Sequence, residues 1–203
     1  MTITVWNILD LDEEAGEEGI NALVSEFTTR RIKDDGIEKE LNPDIEDFLK
    51  RNALQFAREK KSITYLVCDE DDGSLLGYFT ITHKAVEVTS DGLSNSTKRR
   101  VEKYAQFHKK INAYIVSGFL IAQFGKNYGV EEGKRISGGE LMQLCQKELF
   151  ELQHRLGGGL EYLDCEAHAG LIDFYEKQQN FRLFGERISE KDGKRYLQYM
   201  RFL

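Results

Sequence analysis

Apolar residues recur along this chain in two rhythms, and the switch between them marks its elements. Val5 to Leu9 reads as a first strand, followed by an acidic run from Asp10 to Glu18. Ile20, Leu23, Val24 and Phe27 then repeat at helical spacing. Asn42-Pro43-Asp44 opens a second helix with proline in its first turn, and Ile45, Phe48, Leu49, Ala53, Phe56 and Ala57 give it one apolar face up to about Lys60. Ile63 to Cys68 and Leu76 to Val88 form a hairpin turned at Asp69 to Ser74. Residues 90–110 are a polar insertion with a short helix predicted over Lys98 to Phe107, its basic residues read as a solvated face rather than a binding arm. Ile111 to Phe124 is the longest apolar strand, and the helix after it carries a stripe of Leu141, Leu144, Cys145, Leu149, Leu152 and Leu156, ended by Gly157-Gly158-Gly159. Leu160 to Cys165 is a strand, Gly170 to Lys177 a helix, and Phe181 to Ile188 with Tyr196 to Phe202 a closing hairpin turned at Asp192-Gly193.

That order predicts a mixed α/β fold with a strand–helix–strand unit at its centre. With no internal repeat and no Pro/Ser-rich linker, residues 1–203 are expected to form a single domain. A net charge of −7 argues against general nucleic-acid binding, which needs a basic surface. Cys68, Cys145 and Cys165 stand far apart in apolar surroundings, and the four histidines have no ligand spacing. They predict buried thiols in a reducing cytoplasm and no structural metal. The first residues have no hydrophobic signal core, and no stretch approaches a membrane span, so no membrane association is expected.

The stretch most suggestive of chemistry runs from Ile115 to Leu144: a buried strand, a glycine- and lysine-rich loop, then a helix opening on Ser137-Gly138-Gly139-Glu140. Serine followed three residues on by glutamate is a capping box, which fixes the helix start. Free N–H groups and the positive dipole end at such a start suit an anion, a phosphate first among them. Capping boxes also begin many ordinary helices. A phosphate-loop reading of Gly129-x-x-x-Gly133-Lys134 is weaker, being one residue short and lacking Ser/Thr after the lysine.

Two segments together resemble the GNAT superfamily of acetyl-CoA-dependent N-acetyltransferases. Ser117 to Asn127 with the loop and Gly138-Gly139-Glu140-Leu141 looks like that family's central strand and cofactor loop. Leu171-Ile172-Asp173-Phe174-Tyr175-Glu176-Lys177, then Phe181, looks like its "AxxFYxxxGF" helix and following strand. The resemblance covers roughly residues 62–203. It departs at the loop, where Gly133-Lys134-Arg135-Ile136-Ser137-Gly138 stands about two residues longer than the usual pattern, and before Phe181, where Asn180 replaces the usual glycine.

The resemblance implies a mostly antiparallel central sheet flanked by helices, and acetyl-CoA as cofactor. It places the coenzyme A pyrophosphate on the amides of Ile136, Ser137, Gly138 and Gly139, with charge added by Lys134 and Arg135. It pairs the pantetheine arm with backbone near Phe124 and Lys126, where the central and Leu160 strands splay apart. His168, where many members carry asparagine, and Phe174 complete the implied cofactor-binding set. Acyl transfer needs a proton for the departing thiolate, and a tyrosine of pKa roughly 10 can give one to a thiolate whose acid has a pKa of roughly 8.5. Tyr175 matches the family's tyrosine in that part; without the resemblance it reads as a core aromatic. Glu166, with Asp164 and His168 beside it, is the candidate base, each equally readable as a strand-end polar residue. The implied partner is a small-molecule or protein amine acceptor, and a homodimer is common in the family. A toxin-like aminoacyl-tRNA acetyltransferase and a catalytically silent acyl-CoA-binding or interaction module are the alternatives.

Overall fold

A computed structural model describes residues 2–32, 38–40, 42–91, 93–190 and 193–203. Its strands follow the order β1-β4-β5-β7-β8-β10-β9 in one sheet, with β6 on β7 and a separate β2-β3 ladder. In chain order these are β1 (Ile3–Asn7), β2 (Arg30–Ile32), β3 (Glu38–Glu40), β4 (Ile63–Asp69), β5 (Leu75–Thr89), β6 (Phe107–His108), β7 (Ala113–Lys126), β8 (Leu160–Glu166), β9 (Arg182–Ile188) and β10 (Arg195–Phe202). The helices are α1 (Ile8–Ser25), α2 (Pro43–Arg51), α3 (Ala53–Arg58), α4 (Asn95–Val101), α5 (Gly138–Leu156) and α6 (Ala169–Ile172), the last continued by a π-helical turn over Asp173–Gln178. The expected mixed, mostly antiparallel α/β fold is observed.

The chain divides into two compact units, Met1–Thr82 with Ala122–Cys145, and His83–Ile121 with Gln146–Leu203. In the first, β1 runs antiparallel to β4 with Val5 opposite Val67, and β4 to β5 with Thr64 opposite Thr80. Ile8, Ile20, Val24, Phe27, Leu49, Ala53, Ala57, Leu66 and Tyr78 make its core. Gly125 and Gly77 are obligatory there. A Cβ on Gly125 would come within 2.6 Å of the Ile45 side chain, and one on Gly77 within 2.9 Å of the Gly125 carbonyl.

In the second unit β8 pairs with β10 and β10 with β9, all antiparallel. The parallel β7–β8 ladder registers only Phe119 with Glu161 and Leu120 with Tyr162 among the described residues. Val86, Val88, Val101, Tyr114, Val116, Leu160, Tyr162, Phe184 and Met200 form this core.

Several predicted boundaries are corrected. The acidic run belongs to α1, because the Asn7 side chain accepts from the Leu9 amide and starts the helix directly after β1; Gly16, at φ 67°, then kinks it. The single helix expected up to Lys60 breaks at Asn52, which leaves helical geometry at φ −120°. Ser94 caps α4 at the Thr97 amide, so that helix starts at Asn95, ahead of the expected Lys98, and it ends at Val101 instead of reaching Phe107. On α5 the stripe is Leu141, Met142, Cys145 and Leu149, and Leu156 is 66% exposed beside the glycine terminator. Gly157 and Gly158 take φ 79° and 109°, which is the left-handed exit expected of that terminator. The expected turn residue Asp192 lies outside the described residues.

Candidate active site

The predicted site residues fall into two groups, one in each unit. The first surrounds the exit of β7. Asn127, only 3% exposed, follows the strand immediately and engages its amide and both side-chain polar atoms. Its amide donates to the Leu76 carbonyl and its Nδ2 to the Leu75 carbonyl at 2.8 Å. Its Oδ1 accepts from Thr28 at 3.0 Å and Gly129 at 2.9 Å. The start of the loop is thereby tied to β5 and to the segment after α1. Nothing in the periodicity of the sequence points to this asparagine.

The loop then closes on itself. Arg135 donates through Nε to the Val130 carbonyl at 2.8 Å and through Nη2 to the Tyr128 carbonyl at 2.9 Å. The Tyr128 ring lies 5.3 Å from the Lys126 ammonium and 5.6 Å from the Arg135 guanidinium. Lys134 pairs with Asp72, in the β4–β5 turn, at 2.9 Å. That hydrogen bond holds the Asp72 carboxyl well below its usual range and raises the lysine. Both predicted phosphate cations therefore already have structural partners. Phe124 and Lys126, both half-buried, lie near the end of β7.

Ile136 is buried at 1% exposure and anchors the strand-to-helix step. The capping box is reciprocal as predicted: Ser137 Oγ accepts from the Glu140 amide at 3.1 Å, and Glu140 Oε2 accepts from the Ser137 amide at 2.8 Å. Its hydrogen bonds to Ser137 hold the Glu140 carboxyl below the ordinary value of 4.5. The Ser137 amide is thus taken. The amides of Ile136, Gly138 and Gly139 have no partner among the described residues, and the two glycines stand at the first two positions of α5. Two glycine amides at the positive end of a 19-residue helix are what a phosphate can use. The carboxylate of Glu140 beside them opposes it.

The second group lies around the π-helical turn. Tyr175, 6% exposed, packs edge-on to Phe174 at 5.0 Å and to Phe181 at 5.8 Å, and stacks on Tyr199 at 6.0 Å. The Phe181 amide donates to the Tyr175 carbonyl at 2.9 Å, and Asn180 makes the intervening turn at φ 57°. Asparagine tolerates that left-handed geometry better than most residues, which is how it stands in for glycine here. Glu166 pairs with Lys194 at 2.6 Å, and Asp164 with Arg187 at 2.6 Å. His168 caps α6, its Nδ1 accepting from the Gly170 amide at 3.1 Å. Cys68, Cys145 and Cys165 are buried and in no disulfide, and burial pushes the Cys68 thiol up to about 11 and Cys165 to about 12. Among the described residues no cluster suited to a metal is present, and no helix is long and apolar enough to cross a membrane.

No protein-family model matches this sequence, and no curated protein does. Solved structures are similar in fold. AtaT complexed with acetyl-methionyl-tRNAfMet matches with a TM-score of 0.59 at 12% identity, over 96% of this chain and 94% of that one. A tyrosine-to-phenylalanine mutant of KacT matches with a TM-score of 0.60 at 13% identity, over 97% and 94%. The NatC complex bound to Gag peptide and CoA matches with a TM-score of 0.51 at 11% identity, over 100% and 99%. A mostly antiparallel sheet, a parallel β7–β8 step and agreement over nearly the whole length give this chain the fold of the GNAT acetyltransferases.

Proposed function

We propose that this chain is an acetyl-CoA-dependent N-acetyltransferase that moves an acetyl group to a primary amine. The observation that carries the reading is the opening of α5, where the Gly138 and Gly139 amides have no partner among the described residues directly after the loop that leaves β7. When bound, acetyl-CoA supplies the thioester. The two glycine amides hold a phosphate oxygen, and backbone near Phe124 and Lys126 fixes the arm of the cofactor. Lys134 and Arg135 act by shaping the loop, through Asp72 and through the Tyr128 and Val130 carbonyls. In the transfer the amine loses a proton, the carbon–sulfur bond breaks as the carbon–nitrogen bond forms, and the thiolate must be protonated. Tyr175 donates that proton. Glu166 takes up the amine proton through water once it leaves Lys194, with His168 fixing the turn beside it.

Acetyl-CoA at about 100 times its dissociation constant adds roughly 2.7 kcal/mol of stability. In a chain this size the melting temperature should then rise by about 5–10 °C. Tyr175→Phe should keep that rise while thiol release falls by about 10²–10⁴. No thermal shift with acetyl-CoA, together with no thiol release across peptides, polyamines, aminoglycosides and aminoacyl-tRNA, would overturn the reading.

One observation favours an aminoacyl-tRNA acceptor. Residues 93–112 hold six basic residues against one acidic, a net +5, so the other residues share −12 of the chain's −7 total. Arg99, Arg100, Lys103, Lys109 and Lys110 are exposed there beside exposed Tyr104 and Phe107. Clustered cations with aromatic faces suit a nucleic-acid backbone and its unstacked bases.

A further inference from the structure

Glu161 is an unexpected residue for the centre of a sheet. It is fully buried on β8, directly opposite Arg201 of β10, and its Oε1 takes both Nε and Nη2 of that guanidinium. Its Oε2 is buried with no partner among the described residues. Burial raises the Glu161 carboxyl despite the neighbouring guanidinium. A buried ion pair left half-satisfied is a poor source of stability, and an apolar pair of similar volume would serve the fold as well. The geometry explains what the charge does instead.

The remaining guanidinium nitrogen of Arg201, Nη1, points at the turn that carries Tyr175. Nη1 donates to the Gln179 carbonyl at 3.1 Å, at the end of the π-helical turn, and the guanidinium lies 4.9 Å over the Phe181 ring. Phe181 in turn packs edge-on to Tyr175 and donates its amide to the Tyr175 carbonyl. Two residues earlier on the same face of β10, Tyr199 stacks on Tyr175 and donates to Glu176 Oε1 at 2.8 Å. A π-helical turn is a rare alternative to an α-helix, and these outside anchors hold it in one register.

We propose that the Glu161–Arg201 pair is a positioning device that, with Tyr199, fixes the π-helical turn so that the Tyr175 hydroxyl is held in one place. Glu161 aims the guanidinium, and the guanidinium grips the end of the turn. Its catalytic consequence rests on the acetyltransferase reading, whereas the positioning itself does not.

The test separates the two. Tyrosines are labelled with ¹³C at Cζ, and the Tyr175 signal among the nine is assigned by its loss in Tyr175→Phe. The double variant Glu161→Leu with Arg201→Met leaves no orphaned charge and should fold with little change in melting temperature. Its Tyr175 signal should move and broaden, and Arg201→Lys should do the same, because an ammonium cannot reproduce the planar fork. If wild type releases thiol, kcat in the double variant should fall toward the roughly 10²-fold that a misplacement of about 1 Å brings, with acetyl-CoA affinity kept. An unmoved Tyr175 signal in the folded double variant would overturn the proposal. A moved signal supports it, and wild type releasing no thiol would count against the acetyltransferase reading alone.

Discussion

Asn127 holds the exit of β7 through four hydrogen bonds, all to backbone groups of β5, of the loop, or of the segment after α1. Truncation to alanine removes the acceptor for the Thr28 and Gly129 amides and the donor to the Leu75 carbonyl. Each buried group left unmatched costs about 1–3 kcal/mol. Two of the three lost bonds are only part-buried, so the low end applies, about 3 kcal/mol in all. At about 2–4 °C per kcal/mol for a chain of this length, Asn127→Ala should lower the melting temperature by about 6–12 °C. Asn127→Asp keeps the two accepted bonds and should fall between alanine and wild type in a calorimetric scan. An alanine variant melting with wild type would mean that the loop is held by something else. Tyr175 illustrates the opposite situation. Its identity and neighbours Phe174 and Phe181 were legible as a motif, while the stacking of Tyr199, 24 residues further on, was not.

Among elements, α5 sets two requirements against each other at one end. The capping box needs a side chain at position 140 that can accept from the Ser137 amide, and the proposed phosphate needs that position uncharged. Glutamine meets both, since it serves in a capping box as glutamate does. Glu140→Gln should therefore keep the helix start and tighten acetyl-CoA binding by about 2–5-fold, the size of one charge at a helix terminus. Gly138→Asp should weaken it, adding both a negative charge and a side chain where the backbone must approach a phosphate. Titration calorimetry at low salt reads both. Unchanged affinity in the pair would remove the α5 start from the cofactor site. The sign also fixes the pH behaviour of the cap: because the folded carboxyl lies below 4.5, capping is fully present above that value and is lost as pH falls through the folded pKa.

At the scale of the molecule, a net charge of −7 conceals a division between the basic residues 93–112 and the acidic remainder. The basic segment read as a solvated helix face from its sequence. In the fold α4 ends early, β6 pairs with β7 through Phe107 and His108, and the cations are presented beside exposed Tyr104 and Phe107. Lys103→Glu with Lys109→Glu and Lys110→Glu should abolish salt-dependent binding to aminoacyl-tRNA while leaving the acetyl-CoA thermal shift intact. Equal tRNA binding by the variant, or none by wild type, would remove the aminoacyl-tRNA reading and leave a small-molecule or peptide acceptor.

The sequence alone determined whatever depends on neighbours within a few residues: the order of the longer strands and helices, though not the short β2, β3 and β6 or the break between α2 and α3, the four-residue capping box, the glycine exit of α5 and the burial of the cysteines. Helix boundaries were less legible, because single caps at Asn7 and Ser94 outweigh the apolar period around them. The tertiary structure decided the partners of the charged and polar groups. Lys134 meets Asp72 across 62 residues, and Glu161 meets Arg201 across 40. Such pairs are set by strand register and loop closure, which bring together residues that no local period relates. For that reason the loop cations read as ligands in the sequence and as scaffold in the fold.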